Sequence, residues 1–527
     1  MKRNFFRYIG LLSFLLGFNS CSKLDEEVFT FVSPASFYKG AEDLNVALLG
    51  VYGLYRTHFG VDINEWPDGH IRIMELLTEF GAPTNASYSP ATVNSWIDIN
   101  NPSSPSIVNR YSRAYRIINA SNVVLGRGEG VVMDQALKEQ YFGEARFLRA
   151  LSYFHLVRLY GGVPIPETFT QGLEGLQIPR KSADETYDYI IADLEYAAAH
   201  LPVKSAYKKT DVWRATKGAA LAFLGKVYLH RGSIQEKKEY FEKSRDYSRQ
   251  VITSAEYKLE PDFKDLWYWY NTGNKNGQES VFELQFSHDA YSTNFLHQFT
   301  TSFGLGANAV TGAYSYNNMT APSITAFNSY EPGDLRKSAT FVTELTLPNG
   351  TKTEWKAADK GRRPGTGGWT ASYPGMIKFG DRTQNSVVYE LPAANIYAMR
   401  YADVLLNFAE ADSEAGEGPS DEALAALNQV RDRAGLKPLG KLGKEAFAAA
   451  VYRERGWEFI GEGVMFYEGV RTGRIGDGIE NEVRYGKENG WYMYTMDLYF
   501  KPGKNFLFKI PQGDMNANPL LVQNPDN

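Results

Sequence analysis

Thr216-Lys217-Gly218-Ala219-Ala220-Leu221-Ala222-Phe223-Leu224-Gly225-Lys226-Val227-Tyr228-Leu229-His230 is the stretch that decides the fold. Ala220, Leu224, Val227 and Tyr228 fall on one face at the period of an α-helix, and Gly218, Ala222 and Gly225 form a second face of small residues. Glycine inside a helix costs about 1 kcal/mol relative to alanine, so two on one face point to a close neighbour. Two buried faces on one helix imply a stack of helices.

The same signals recur on both sides. Leu224-Gly225 with Tyr228, followed by Phe241, matches positions of a tetratricopeptide repeat, a helical pair that buries its apolar face only against its neighbours. Upstream, Ala145, Leu148, Ser152, His155, Leu156 and Leu159 form a helical stripe from Glu144 to Tyr160, stopped by Gly161-Gly162-Val163-Pro164. His155 lies on that stripe and reads as a packed core histidine. Downstream, Ala402, Leu405, Leu406 and Ala409 oppose Arg400, Asp403, Asn407, Glu410 and Glu414 on a second helix. Its partner starts at Pro419-Ser420-Asp421-Glu422, carries Ala423, Leu427, Val430 and Ala434 as a stripe, and closes at Gly435. A third pair is expected from Lys444 to Gly461.

Residues 261 to about 395 break this pattern, being rich in Gly, Asn, Thr, Tyr and Trp with short runs such as Val281-Phe282-Glu283-Leu284-Gln285-Phe286. The region 57–108 has the same loop-like character, with Trp66, Tyr88 and Trp96 among Pro, Asn and Ser. Long irregular stretches inside a compact chain are usually functional. Trp267, Trp269 and Tyr270 lead into the Val281 strand and read as core. The expected fold is mostly α: a tetratricopeptide-like helical-pair scaffold over about 28–260 and 396–527, with long loop and short-strand insertions over about 261–395.

Composition narrows the function. The chain is 43% hydrophobic and 22% charged, ordinary globular usage, so the aromatic content of 14% (Tyr 34, Phe 31, Trp 9) is the informative departure and suggests recognition surfaces. A net charge of −5 and a pI near 5.9 disfavour nucleic acid or anionic lipid as partners. Cys21 is the only cysteine, which leaves no disulfide framework and no Cys-based zinc or iron–sulfur site.

Cys21 also sits at a telling place. Lys2, Arg3 and Arg7 form a basic start, and the apolar run from Tyr8 to Phe18 is shorter than the roughly 20 residues of a spanning helix. The segment 1–20 resembles a bacterial lipoprotein signal peptide, in which the cysteine becomes the acylated first residue of the mature protein. Asn19-Ser20 and Phe18 depart from the small-residue and Leu preferences of such signals.

Four motifs together carry a wider resemblance. Phe147-Leu148-Arg149-Ala150-Leu151-Ser152-Tyr153-Phe154 runs into Tyr160-Gly161-Gly162-Val163-Pro164. Arg400-Tyr401-Ala402-Asp403-Val404-Leu405-Leu406-Asn407-Phe408-Ala409-Glu410-Ala411 leads to Leu427-Asn428-Gln429-Val430-Arg431-Asp432-Arg433-Ala434-Gly435. Glu454-Arg455-Gly456-Trp457-Glu458-Phe459 precedes Glu462-Gly463 and Arg471, and Ile510-Pro511-Gln512 precedes Asn518-Pro519 and Gln523-Asn524-Pro525. In this order the chain resembles the SusD/RagB family of nutrient-binding outer-membrane lipoproteins across most of residues 21–527, which are expected to form a single domain. Val464-Met465, Glu468 and Lys509 depart from the family pattern.

The resemblance implies a cell-surface lipoprotein anchored in the outer membrane through Cys21. Its partner would be a TonB-dependent, SusC-like transporter, to which it hands oligosaccharides or, in some members, peptides. Ser22-Lys23-Leu24-Asp25-Glu26-Glu27 resembles the acidic surface-export signal of such lipoproteins. A sugar offers flat C–H faces and rings of hydroxyls, so its binder needs aromatic platforms beside Asn, Asp and Arg. Trp96 with Asn100 and Asn101, Asp68 and Arg72 upstream, and Tyr291, Tyr314, Tyr316 and Trp369 in the central loops are the candidate ligand-binding residues. Asp62 lies near the same segment.

Catalytic readings have less support. Gly435-Leu436-Lys437-Pro438-Leu439-Gly440-Lys441 is followed by Leu442 in place of the Ser/Thr of a phosphate loop and follows a helix instead of a strand. Gly304-Leu305-Gly306-Ala307-Asn308-Ala309 lacks the strand–helix context of a dinucleotide site. No Gly-x-Ser-x-Gly elbow occurs, and the histidines form no metal-binding pair at helical spacing. Asp62 and Asn64 hint at a calcium loop whose full signature is missing. Glu75 and Glu79 could serve a surface glycoside hydrolase, but a pair one turn apart is expected to face solvent. No enzyme activity, metal or cofactor is expected.

Overall fold

The computed structural model describes residues 37–59, 70–83, 100–172, 174–267, 274–287, 320–346, 352–354, 375–376, 378, 395–488 and 506–525. The signal segment with Cys21 lies outside them. In chain order the described elements are α1 (Ala41–Phe59), α2 (His70–Leu76), β1 (Gly81–Pro83), α3 (Pro105–Gly128), α4 (Gln135–Tyr160), α5 (Ala183–His200), α6 (Lys217–Gln235) and α7 (Lys238–Thr253). The loop-rich part contributes β2 (Ser280–Leu284), β3 (Thr320–Pro322), α8 (Ile324–Ser329), α9 (Leu335–Thr340), β4 (Phe341–Val342), β5 (Glu344–Thr346), β6 (Lys352–Glu354) and β7 (Gly375–Met376). The chain returns to helices through β8 (Ile396–Arg400), α10 (Tyr401–Ala415), α11 (Asp421–Arg433), α12 (Lys444–Phe459), α13 (Met465–Arg471), α14 (Ile475–Glu488) and α15 (Gln512–Ala517).

Local chemistry sets these boundaries. Thr216 Oγ1 accepts from Ala219 N–H at 3.0 Å to start α6, Asp134 accepts from Leu137 N–H to start α4, and Ser182 with Glu185 closes a reciprocal capping box on α5. Gly161 at φ +72° ends α4 in a backbone region that side chains other than glycine avoid.

Consecutive helices from α3 to α7 pack in sequence, each against the next, and α7 then packs on α10, which carries α11 and α12. The stack therefore continues from residue 253 to residue 401 across the whole loop-rich region, which is an insertion in a helical array. Inside it, Gly225 faces α7 so closely that a Cβ there would lie 2.6 Å from Ser248 Oγ, while Ser244 Oγ donates to the Gly225 carbonyl at 2.7 Å. Gly218 meets the Tyr257 ring in the same way. Leu148, Leu156, Leu224, Leu405 and Leu427 are fully buried in one continuous core. His155 is buried as expected, edge-on to His58 at 4.5 Å. No helix among the described residues is long and apolar enough to cross a membrane.

Three expectations change. The stretch from Lys444 to Gly461, expected as a third helical pair, is the single helix α12, and on the polar face of α10 Asp403, Asn407 and Glu410 are buried with the adjoining Arg400, where Arg455 donates to Asp403 and Asn407 at 2.7 Å each and Arg471 donates to Glu410 at 2.6 Å. Region 57–108 is not loop throughout, since it holds α2, β1 and the first turn of α3. Glu75 does not face solvent; it is 4% exposed, and Glu79 lies beyond the end of α2 instead of on a shared helix face. Trp267 is core, as expected, while Trp269 and Tyr270 lie outside the described residues.

Candidate functional site

The loops expected to hold ligand are long and aromatic, so what positions them is the backbone at their roots. Four antiparallel two-stranded ribbons supply it: β1 with β3, β2 with β8, β4 with β7 and β5 with β6. In the first, Pro83 is the register partner of Thr320. The segment carrying Trp96 leaves at Pro83, and the segment carrying Tyr291, Tyr314 and Tyr316 arrives at Thr320. Two stretches far apart in sequence are thereby rooted side by side.

The ribbon is fixed from below. The Phe80 ring fills the gap left by Gly456 on α12, where a Cβ would lie 2.5 Å from the ring. Ser323 N–H donates to the Phe80 carbonyl at 2.8 Å, and Ser323 Oγ donates to the Glu79 carbonyl. Phe80, Tyr330, Phe341, Met376, Trp457 and Ile460 form a separate small core, with the Tyr330 hydroxyl donating to the Trp457 carbonyl at 2.8 Å. Met376 belongs to β7, which follows the segment carrying Trp369 and pairs with β4. The other end of the tyrosine segment is stapled too: Phe286 N–H donates to Asn395 Oδ1 at 2.9 Å, and Asn395 Nδ2 donates to Glu283 at 2.7 Å.

Beneath the ribbons lies a network of buried charge. Arg400 donates to Glu279 at 2.8 Å, Glu458 at 2.7 Å and Glu462 at 2.8 Å, and Arg336 pairs with Asp334, Glu454 and Glu458 at 2.8, 2.7 and 3.1 Å. Arg433 adds contacts to Glu279 and Glu458. Burial alone would push the Glu458 carboxyl up, but Arg433, Arg400 and Arg336 together hold it well below the usual carboxylate range. Lys378 donates to the Glu458 and Ile460 carbonyls at 2.9 Å each and to Glu462 at 2.7 Å; burial lowers its ammonium to about 8. Such pairs add little net stability but fix one arrangement, because breaking any of them leaves a buried charge without a partner.

Glu75 and Glu79 complete the base. Glu75 Oε1 accepts from Gly461 N–H at 3.0 Å and Gly463 N–H at 2.8 Å, tying α2 to the turn after α12. Glu79 Oε1 accepts from the Tyr452 hydroxyl at 3.0 Å. Burial raises both carboxyls to about 7 against these hydrogen bonds. Both are bound to their own chain and act as fasteners of the loop base.

Of the candidate ligand-binding residues, Asp68, Trp96, Tyr291, Tyr314, Tyr316 and Trp369 lie outside the described residues, as does Asp62. Arg72 sits in α2, with only its backbone described. Asn100 is half-buried, and Asn101 is exposed where the Trp96 segment rejoins the scaffold. Asn101 Oδ1 accepts from Ser103 N–H at 3.1 Å, a turn that leaves its amide N–H groups to act as donors. The structure thus brings the roots of the candidate segments together. Sequence reading missed Phe80, Lys378 and the role of Gly456; a glycine between Arg455 and Trp457 in mid-helix was the available sign of a close approach. No group of His, Cys, Asp and Glu suited to a metal occurs among the described residues.

The family model described as the SusD family matches residues 241–526, and a second, described as starch-binding and associating with the outer membrane, matches residues 70–229. SusD-like protein P2 of Formosa agariphila is 27% identical over 83% of this chain and 82% of its own length. The starch-binding protein SusD of Bacteroides thetaiotaomicron is 28% identical over 46% of this chain and 40% of its own. A SusD superfamily crystal structure from Parabacteroides distasonis superposes with a TM-score of 0.75 at 26% identity, covering 92% of this chain and 99% of that one. The helical array, its ribbon-rooted insertion and a family match over more than half of the sequence agree: this chain belongs to the SusD family.

Proposed function

We propose that this protein is a cell-surface lipoprotein, anchored through Cys21, that captures oligosaccharides and delivers them to a TonB-dependent, SusC-like transporter in the outer membrane. The observation that carries the reading is the pairing of Pro83 with Thr320, which roots the segment of Trp96 beside that of Tyr291, Tyr314 and Tyr316. Aromatic platforms from two segments held on one rigid base can grip the two faces of a sugar chain without ordering the base on binding. Asn101, with free amide donors at the far root, suits the hydroxyl groups. The starch-binding relative and the outer-membrane association in the second family description support the same class of ligand and the same location.

Affinity electrophoresis in gels containing starch, laminarin, xylan or mannan tests the reading. A capture protein is retarded by at least one polysaccharide and releases no shorter oligosaccharides from it. Retardation by none, or release of short products, would overturn it.

A further inference from the structure

A cleft of about 1510 Å³ opens on another part of the surface, between residues 164–172 and 174–178, the C-terminal stretch 514–521 and the side of α3. Its floor is aromatic: half-buried Tyr115 of α3 packs on the core residue Tyr111, ring centroids 4.8 Å apart, and half-buried Phe169 lines the wall with Arg127 over its ring at 4.9 Å. Around them stand Glu167, Glu174 and Asp514, none of which pairs with a basic side chain among the described residues, while Arg127, held over the Phe169 ring, is a cation at the edge of the cleft.

The walls are preformed. The Tyr115 hydroxyl donates to the Pro164 carbonyl at 2.8 Å, and Asn122 Nδ2 donates to the Pro166 carbonyl at 3.0 Å. Gln177 Nε2 reaches the Ala517 carbonyl at 3.2 Å and Asn518 Nδ2 the Ile178 carbonyl at 2.8 Å, closing one wall onto the other. Arg180 donates to the carbonyls of Tyr160, Gly162 and Val522, fastening the base of the segment to the C-terminus. A surface segment braced at this many points keeps its shape without ligand, which removes the ordering cost of binding.

The geometry points to a second saccharide site in this cleft, for an uncharged sugar chain held by Phe169 and Tyr115 and by the carboxylates of Asp514 and Glu167. This rests on the carbohydrate-binding reading above. Aromatic walls match C–H faces, acceptor carboxylates match hydroxyl donors, and three carboxylates around the cleft disfavour sulfated or uronic glycans. Asp514 is half-buried, and burial raises its carboxyl, as expected for an acceptor poised in a partly dry wall. The Pro102 carbonyl accepts from Gln512 N–H at 2.9 Å, so the helix bearing Asp514 is fastened beside the far root of the Trp96 segment, and one long glycan could engage both sites.

Hydrogen exchange of the full chain with maltohexaose, laminarihexaose, cellohexaose and mannohexaose tests this. At least one should protect 164–178 and 511–521, and should still do so in Trp96→Ala. Asp514→Asn should weaken that protection about tenfold, the loss of one hydrogen bond to a charged acceptor. Phe169→Ala should weaken it as well, both variants keeping the wild-type melting temperature. Protection that disappears in Trp96→Ala, or that survives both cleft substitutions, or that only a cationic glucosamine hexamer produces, would overturn the assignment, as would no protection by any hexasaccharide. Binding untouched by Trp96→Ala and abolished by Asp514→Asn and Phe169→Ala would instead leave the cleft standing and remove the loop site.

Discussion

Pro83 and Thr320 are register partners in an antiparallel ribbon, and that single pairing joins the roots of the two aromatic segments on which the proposed function rests. Gly81 makes it possible, because its Cα packs where a Cβ would lie 2.5 Å from the Glu75 carbonyl oxygen. Gly81→Ala should push the ribbon off α2 and cost about 1–3 kcal/mol by overpacking against backbone, which cannot yield as a side chain can. Thermal melting reads the stability, and faster hydrogen exchange at 320–322 reads the loosened ribbon. A native melt with native exchange would show that the ribbon does not depend on this contact.

The scaffold makes its own prediction at Gly225. A Cβ there already falls 2.6 Å from Ser248 Oγ, so Gly225→Leu has no room between α6 and α7. The cost should exceed the ~1–3 kcal/mol typical of overpacking, and soluble yield should fall with the melting temperature. Gly225→Ala, which Ser248 can accommodate by turning its hydroxyl, should be much milder. Equal effects of the two would mean that this helix contact is loose.

Much of the scaffold was legible because helical periodicity and small-residue faces report packing directly: Leu224, Gly225 and Val227, or Ala423, Leu427 and Val430, sit where their spacing put them. Periodicity also sorted Asp403, Asn407 and Glu410 onto one polar face, but it does not say whether that face meets water or buried arginines from other helices. Arg455 and Arg471 come from elements beyond α10, so no local pattern could reveal them. The site was legible only as residue types. That Phe80, at the foot of the strand from which the chain continues toward Trp96, enters the notch at Gly456 is a relation between distant residues that spacing does not encode. Asn101 shows the converse, since its Oδ1 makes a turn that a reading for ligand chemistry alone passes over.

Glu79 predicts a pH effect. Its carboxyl is raised from an ordinary value near 4.5 to about 7, chiefly by burial, so the folded state holds the proton over a range in which the unfolded chain has lost it. Its contribution favours folding at low pH and is lost as pH rises from about 4.5 to 7, by up to roughly 3 kcal/mol. Glu75 acts in the same direction. Glu79→Gln removes the ionisation, so it should raise stability at pH 8 relative to the wild type and change it little at pH 5. Denaturant melts at the two pH values check this; a wild-type pH dependence in the variant would place the Glu79 titration near its ordinary value.

The anchor is testable independently of ligand. Cys21→Ala removes the site of acylation, and each buried methylene of a lipid chain contributes about 0.8 kcal/mol to membrane attachment. In cells lacking the proposed partner transporter, the variant should move from the outer-membrane fraction to the soluble one. Persistence with the membrane would refute the lipoprotein assignment.

Trp96 is the residue on which the loop site turns. If its indole is a sugar platform, it serves the ligand and not the fold, so truncation separates affinity from stability. An aromatic anchor at a recognition site is often worth ~2 kcal/mol or more, about thirtyfold in Kd, whereas loss of a buried Trp costs ~3–5 kcal/mol of stability. Calorimetric titration of Trp96→Ala with the polysaccharide that retards the wild type, paired with a thermal melt, should give weakened binding and a near-native melting temperature. A large fall in melting temperature would make Trp96 part of the core beside Phe80. Native affinity with a native melt would move the loop site to Tyr291, Tyr314, Tyr316 or Trp369, which can be truncated in turn.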